Sequence, residues 1–158
     1  MDRWPHQIRA VERFKEAIGA GERRICLTSP TGGGKSVIAS DIITWVVEEL
    51  GWGAMLCTNR KMLLEQLCGT LDRHGIDYGI RAAGHPRNRH CPVQISSLPT
   101  ERVRTLKKGT WEPHWKDKPC LMLIDEAHLN ANDTAAQLAD YYCAHGGAVL
   151  GITATPVD

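Results

Sequence analysis

Apolar residues recur along the chain in two different periods. Repeats of three or four positions predict helices with one buried face, over residues 6–18, 35–50, 59–75 and 133–146. Short, almost continuously apolar runs predict strands over 23–28, 53–58, 93–98, 120–127 and 148–155. A short helix is predicted over 100–109 and a loop over 111–119, whereas residues 78–92 are basic and carry no clear pattern.

Apolar spacing and glycines define the faces and ends of these predicted helices. In the first helix the helically spaced apolar residues are Ile8, Val11, Phe14 and Ile18, and Gly19 closes it. The second helix is predicted to end at Gly51. In the third helix the residues predicted to face the core are Leu63, Leu64, Leu67 and Leu71.

The order of these elements predicts the fold class. Strands that alternate with helices are typical of βαβ units, which build a parallel sheet flanked by helices on both faces. Runs such as 25–27, 54–56 and 121–124 are continuously apolar, as expected of strands covered on both sides. We therefore predict an α/β protein and assign residues 1–158 to one domain.

Composition and charge narrow the class of protein. The chain has 158 residues, and 19 Lys and Arg nearly balance 18 Asp and Glu, so net charge neither demands nor excludes nucleic acid. No apolar run approaches the ~20 residues that a membrane span needs. The first residues also lack the apolar core of a signal peptide. These features predict a cytoplasmic protein with no membrane partner.

Six cysteines are spaced irregularly and form no Cys-x-x-Cys pair: Cys26, Cys57, Cys68, Cys91, Cys120 and Cys143. Several lie inside apolar runs, which is typical of small buried side chains in a reducing compartment rather than of a disulfide framework. His85, His90 and Cys91 lack a fourth ligand at a suitable spacing, so we interpret their segment as a solvated loop rather than a metal site.

Three glycines, a lysine and a serine follow the first predicted strand, in the run SPTGGGKS over residues 29–36. A phosphate cradle needs glycine-tolerant dihedrals, main-chain N–H groups directed inward and a helix N-terminus aimed at the anion. A lysine for the β- and γ-phosphates and a hydroxyl for Mg²⁺ complete it; Lys35 and Ser36 supply them. A plain glycine-rich turn would not need Lys-Ser at the helix start. Ser29 replaces the usual first glycine.

Two adjacent carboxylates end the most apolar predicted strand, at Asp125 and Glu126. Ligands bind open α/β sheets at the carboxyl ends of strands, so both acids are predicted at a ligand site. In a protein with a phosphate loop, such an aspartate holds the Mg²⁺ shell. The neighbouring glutamate can orient and deprotonate the attacking water.

With these motifs in this order, the chain resembles superfamily 2 helicases and translocases of the DEAD/DEAH-box kind, in the branch of restriction subunits and repair helicases. The matching segments, in chain order, are RWPHQ (3–7), SPTGGGKS (29–36), CTNRKMLLEQ (57–66), VQISSL (93–98), DEAH (125–128) and GITATP (151–156). The resemblance implies a RecA-like ATP-binding lobe that uses ATP and Mg²⁺.

The resemblance also implies roles for individual residues. Phosphate binding is assigned to Thr31, Gly32, Gly33, Gly34, Lys35 and Ser36, with Ser36 and Asp125 at the metal and with Lys35, Asp125 and Glu126 as catalytic residues. Gln7 is assigned to adenine, with Trp4 or Arg3 stacking on the base. Nucleic-acid contacts fall to Asn59, Arg60, Ser96 and Ser97. Coupling of phosphate state to domain movement falls to His128, Thr153 and Thr155.

Plainer readings remain open for several of these residues. Without the resemblance, Gln7 is more typical of an exposed glutamine at a helix start, and Arg60 of a solvated surface charge. Thr153 and Thr155 also fit an ordinary strand end before Pro156. The basic stretches 81–90 and 102–108 either contact nucleic acid or solubilise the surface.

The chain stops just after the segment GITATP, which resembles the family's motif III, and this implies that a second RecA-like lobe, with its arginine finger, lies outside it. We therefore expect the N-terminal lobe of a larger DNA or RNA helicase or translocase, with DNA favoured over RNA. By itself this lobe is expected to bind nucleotide weakly, hydrolyse it slowly and unwind nothing. The alternatives are a P-loop ATPase that is not a helicase and a nucleic-acid-binding module that has lost catalysis.

Overall fold

The computed structural model describes residues 4–30, 35–57, 61–80, 91–96, 119–125 and 133–155. Within them lie the helices α1 (Pro5–Gly19), α2 (Lys35–Trp45), α3 (Lys61–Arg73) and α4 (Asp133–Ala144). The strands are β1 (Arg24–Pro30), β2 (Gly53–Cys57), β3 (Tyr78–Ile80), β4 (Val93–Ser96), β5 (Cys120–Asp125) and β6 (Ala148–Thr155). The helix predicted over 100–109 lies outside the described residues, as does all but the last residue of the loop predicted over 111–119.

All six described strands form one sheet in the order β1-β6-β5-β2-β4-β3, and every pair is parallel. The α/β prediction is therefore confirmed. Because the strands are parallel, the carboxyl ends of all six meet at one edge of the sheet. Ligands of open α/β proteins bind at that edge.

Alternate residues of the central strands face opposite sides of the sheet, as strand geometry requires. Leu121 and Leu123 of β5 join the core under α1, α2 and α3, whereas Met122 and Ile124 join the core under α4. These side chains are at most 4% exposed, which explains why β5 is apolar at every position. The prediction that helices cover both faces is confirmed for these central strands.

Helix α1 has the predicted position but a different buried face. Its buried residues are Gln7, Ala10, Val11, Phe14 and Ile18, whereas Ile8 is 51% exposed. Residues 7, 11, 14 and 18 are spaced four, three and four apart and form one stripe, in which Ile8 has no place. The expectation that Ile8 belongs to the core face is therefore wrong.

Strand β1 is also less buried than its sequence predicts. It lies at an edge of the sheet, with Ile25 and Leu27 buried and Arg24, Cys26 and Thr28 exposed. The core under α4 includes no residue of β1 among the described residues, so an apolar core covers only one face of the strand. Cys26 is consequently an exposed thiol, not the buried side chain expected from its apolar neighbours.

Two local features depart from the pattern. Strand β3 lies at the other edge of the described sheet, within residues 78–92, where the sequence shows no clear pattern. It is not predicted from the sequence because three residues are too few to show an alternation. The predicted second helix does end at Gly51, but its last turn, Val46–Leu50, is a π-helix. Gly51 has a φ of 69°, and its N–H donates to the Val46 carbonyl oxygen.

None of the described helices combines the length and the apolar character needed to cross a membrane.

Candidate functional site

The carboxyl edge of the sheet gathers the ends of the strands that carry the predicted motifs. β1 ends at Pro30, β5 at Asp125 and β6 at Thr155. β6 lies between β1 and β5, so one strand separates the predicted phosphate loop from the predicted metal ligand.

The strand register shows how the ends of β5, β6 and β1 lie relative to one another. Asp125 pairs with Ile152 of β6, and Ile152 pairs with Leu27 of β1. Neighbouring strands are about 4.8 Å apart, so the main chain at Asp125 lies about 10 Å across the sheet from Leu27. From Leu27, β1 continues through Pro30 towards the carboxyl edge. A nucleotide with its metal spans a gap of this size.

Helix α2 begins shortly after β1 ends, and Lys35 and Ser36 are its first two residues. The structure describes both as helical main chain. A helix N-terminus carries unpaired N–H groups and a partial positive charge, which favour an anion. Thr31, Gly32, Gly33 and Gly34 form the connection between β1 and α2 and lie outside the described residues.

Gln7 caps the start of α1. Its Oε1 accepts the main-chain N–H of Trp4 at 2.9 Å, and its own N–H donates to the Trp4 carbonyl oxygen at 2.9 Å. The residue is 6% exposed, so the reading of an exposed helix-start glutamine is wrong. The sequence does carry a signal for this cap, because proline at the first helical position and glutamine two residues later are typical of helix starts.

Trp4 stands exposed next to this cap. It is 55% exposed, and its ring centroid lies 5.4 Å from that of His6 at an interplanar angle of 55°. An exposed indole offers a flat apolar face on which a base can stack. Arg3, the other residue considered for stacking, lies outside the described residues.

The remaining predicted site residues are placed less completely. Thr153 and Thr155 lie at the end of β6 and pair with Thr28 and Pro30 of β1. Ser96 ends β4 and is 6% exposed. Glu126, His128, Asn59, Arg60 and Ser97 lie outside the described residues.

Oxygen donors suit the metal that the sequence implies. Mg²⁺ prefers carboxylate, hydroxyl, water and phosphate oxygens, and Ser36 and Asp125 are of that type. Both residues belong to elements that end or begin at the carboxyl edge, so their positions fit a shared Mg²⁺. Among the described residues no group of three or more His, Cys, Asp or Glu offers another metal site.

Solved structures share this fold. The UvsW helicase from bacteriophage T4 superposes with a TM-score of 0.70 at 17% identity, over 98% of this chain and 53% of that one. The Hef helicase domain of Pyrococcus furiosus gives 0.64 at 22% identity, over 92% and 33%. The Sulfolobus solfataricus SWI2/SNF2 ATPase core in complex with dsDNA gives 0.66 at 17% identity, over 99% and 32%. The fold of this chain is thus that of a RecA-like P-loop NTPase domain.

The family model described as "Type III restriction enzyme, res subunit" matches residues 1–158, and the chain belongs to that family. A curated relative, a 51.5 kDa protein of Lactococcus phage (isolate 7-9), is 28% identical over 130 residues. That match covers 82% of this chain and 24% of the phage protein. The chain thus spans about a quarter of this relative.

Proposed function

We propose that this chain is the ATP-binding lobe of an ATP-dependent helicase or translocase, which binds Mg·ATP and contributes to its hydrolysis coupled to movement along nucleic acid. The strongest support is the register at the carboxyl edge. It brings the end of β1, the first turn of α2 and Asp125 to the same side of the sheet, with one strand between them.

In this proposal the phosphates lie over the start of α2. Thr31 and the three glycines Gly32–Gly34 direct main-chain N–H groups at them, and Lys35 offsets charge on the β- and γ-phosphates. Ser36 and Asp125 hold Mg²⁺ through oxygen atoms. Magnesium, when bound, offsets the charge that develops on the phosphate oxygens.

Hydrolysis and base recognition fall to residues on either side of the phosphates. Glu126 follows Asp125 directly and serves as the base that orients and deprotonates the attacking water. Gln7 recognises adenine through its amide, and Trp4 stacks on the base. Because Gln7 Oε1 already accepts the Trp4 N–H, the cap would hold these two residues together.

The proposed partners of this chain are nucleic acid and a second RecA-like lobe. Asn59, Arg60, Ser96 and Ser97 contact the strand, chiefly its backbone, with DNA favoured over RNA. His128, Thr153 and Thr155 couple the phosphate state to domain movement. A second RecA-like lobe, supplied by the rest of the protein, closes on the nucleotide and provides an arginine. The protein is proposed to work in the cytoplasm.

Calorimetric titration with Mg·ATP tests the phosphate assignment. Lys35→Ala is expected to raise Kd about tenfold to a hundredfold, because a hydrogen bond to a charged group contributes about 1.5–3 kcal/mol. Lys15→Ala is the matched control, since Lys15 Nζ contacts Glu12 at 3.9 Å and lies 5.7 Å from the Trp45 ring centroid. Equal affinity of wild type and Lys35→Ala would refute the assignment.

Turnover separates the helicase proposal from its alternatives. In the protein that carries both lobes, single-stranded oligonucleotide is expected to raise the rate of ATP hydrolysis, and Glu126→Gln to abolish that rate while nucleotide still binds. A P-loop ATPase of another kind would hydrolyse ATP at a rate that oligonucleotide leaves unchanged. A binding module without catalysis would bind the oligonucleotide and release no phosphate.

A further inference from the structure

A cleft of about 590 Å³ runs along the outer edge of β1. Residues from both faces of the strand line it, Ile25 and Leu27 from the buried face and Cys26 and Thr28 from the exposed one. A cavity lined by both faces of one strand must lie beside the strand rather than over either face. Its other wall is α1, which contacts β1.

The main chain of β1 turns alternate groups towards this cleft. The carbonyl oxygen of Arg23 accepts a hydrogen bond from the Val149 N–H at 2.8 Å, so this carbonyl group faces β6. Main-chain groups alternate in direction along a strand, so those of Arg24 and Thr28 face the opposite way, outward. Among the described strands β1 pairs only with β6. An edge of this kind is a template for one more strand.

The wall opposite this edge is basic. His6, Arg9 and Arg13 lie three and four residues apart on α1 and all line the cleft. Arg9 and Arg13 are exposed and form no ion pair within the described residues. Glu22, just before β1, is the single acidic residue among those that line the cleft.

The spacing of the arginines matches that of an added strand. Four residues of helix rise about 6 Å, which separates Arg9 from Arg13 along α1. Two residues of strand rise about 6.6 Å, which separates successive side chains on the same face. Acidic side chains at alternate positions of an added strand would therefore be spaced like the two arginines.

We infer that an extended acidic segment of a partner protein binds here as an additional strand on β1. Its main chain pairs with the outer edge of β1, and two of its carboxylates, in an acid-x-acid pattern, pair with Arg9 and Arg13. Strand addition gives affinity through the main chain and specificity through alternate side chains. A nucleic-acid strand would meet the arginines but cannot pair with the edge of β1 as a ladder, which favours a peptide.

Fluorescence anisotropy with a labelled short peptide that alternates threonine and glutamate tests the inference. The peptide is expected to bind the nucleotide-free protein, and a version with lysine in place of glutamate is not. A third version, N-methylated at every second residue on the edge that pairs, keeps all charges and lacks the ladder donors. It is expected to bind at least about tenfold more weakly, since several main-chain hydrogen bonds are lost.

Protein variants test the basic wall separately. Arg9→Glu with Arg13→Glu is expected to weaken peptide binding at least about tenfold, because two attractive pairs become repulsive. Glu22→Gln is expected to strengthen binding slightly, since it removes a like charge. Arg73→Glu is the matched control, an exposed arginine on α3, and should leave affinity unchanged. Circular dichroism melts establish that each variant folds.

Three results would overturn the inference. Equal binding of the N-methylated peptide would mean that charge alone, without a strand, holds it. Equal binding by the Arg9 and Arg13 double variant would exclude the proposed wall. Displacement of the peptide by single-stranded oligothymidylate, together with loss of oligonucleotide binding in the double variant, would make the cleft a nucleic-acid site. None of these results bears on ATP binding, which Lys35→Ala tests independently.

Discussion

Gly147 joins α4 to β6 where three segments of main chain meet. A Cβ atom at this position would overlap the carbonyl oxygen of Cys120 and lie 3.0 Å from both the Cys120 nitrogen and the Tyr142 carbonyl oxygen. The Gly147 N–H donates to that Tyr142 oxygen at 2.9 Å, which holds the junction in place. We therefore predict that Gly147→Ala destabilises the fold.

The size of the effect follows from which atoms obstruct the new methyl group. All three belong to main chain at the start of β5 or the end of α4, so no side-chain rotation relieves the overlap. Overpacking costs about 1–3 kcal/mol, and main-chain obstruction places this substitution at the upper end. For a domain of this size each kcal/mol lowers Tm by about 2–4 °C, so we expect a loss of about 6–12 °C.

Two other glycines serve as matched controls. Gly69 lies within α3 and has only Arg73 Nη1 nearby, at 3.9 Å, so alanine fits and should stabilise the helix by about 0.8–1 kcal/mol. Gly146 has open space around it but a φ of 82°, so alanine there should cost about 1–2 kcal/mol through backbone strain alone.

Urea unfolding followed by far-ultraviolet circular dichroism measures all four proteins. The expected order of stability is Gly69→Ala, wild type, Gly146→Ala and Gly147→Ala, from most to least stable. A Gly147→Ala protein that unfolds at or above the wild-type midpoint would refute the steric argument. A Gly147→Ala protein no less stable than Gly146→Ala would show that the junction yields to the methyl group.

Two further predictions concern titration and thiol reactivity. Burial, with Cys68 and Asp72 nearby, raises the pKa of Tyr78 to about 12. A tyrosinate difference titration of wild type against Tyr78→Phe should therefore show ionisation near pH 12, and the stability due to this group should be lost as pH rises from about 10 to 12; ionisation near 10 would contradict it. Cys26 is exposed and Cys57 buried, so Cys26→Ser should remove the fastest phase of reaction with a thiol reagent, and Cys57→Ser should not; an unchanged fast phase in Cys26→Ser would contradict this.

The central strands were predictable because both of their faces are covered. β6 spans the predicted residues, Ala148–Thr155, and β5 is apolar through Ile124 because helices cover both of its sides. An edge strand can carry the same letters with only one face covered, as β1 does. The burial of a strand depends on the elements beside it, and the strand's own sequence does not specify them.

Helix α1 shows a second limit of pattern reading. The stripe of buried positions includes Gln7, which a hydrophobic pattern passes over because the residue is polar. Its burial is compensated by the hydrogen bond from Trp4, a local contact that hydrophobicity does not encode. The burial of Gln7 and the exposure of Ile8 were therefore both mispredicted for the same reason, which is that the pattern considers hydrophobicity alone.

For the candidate site, the sequence predicted the shared edge but not the distances within it. Motifs at the ends of parallel strands must lie on one edge of the sheet, whatever the strand order. The order β1-β6-β5 places one strand between Asp125 and β1, and sequence separation does not predict that order. The side-chain roles of Lys35, Ser36 and Asp125 stay predictions.

The pairing of β1 with β6 also has a consequence for biosynthesis. The ribosome makes Arg24–Pro30 before the other five described strands, but its partner among them, Ala148–Thr155, is made after all the others. Until then the early strand has no native neighbour in the sheet, and joining the two requires closure of a long intervening loop, which slows folding. The proposed phosphate loop would thus be translated before the strand that fixes β1 in the sheet, and become functional only after the two strands have paired.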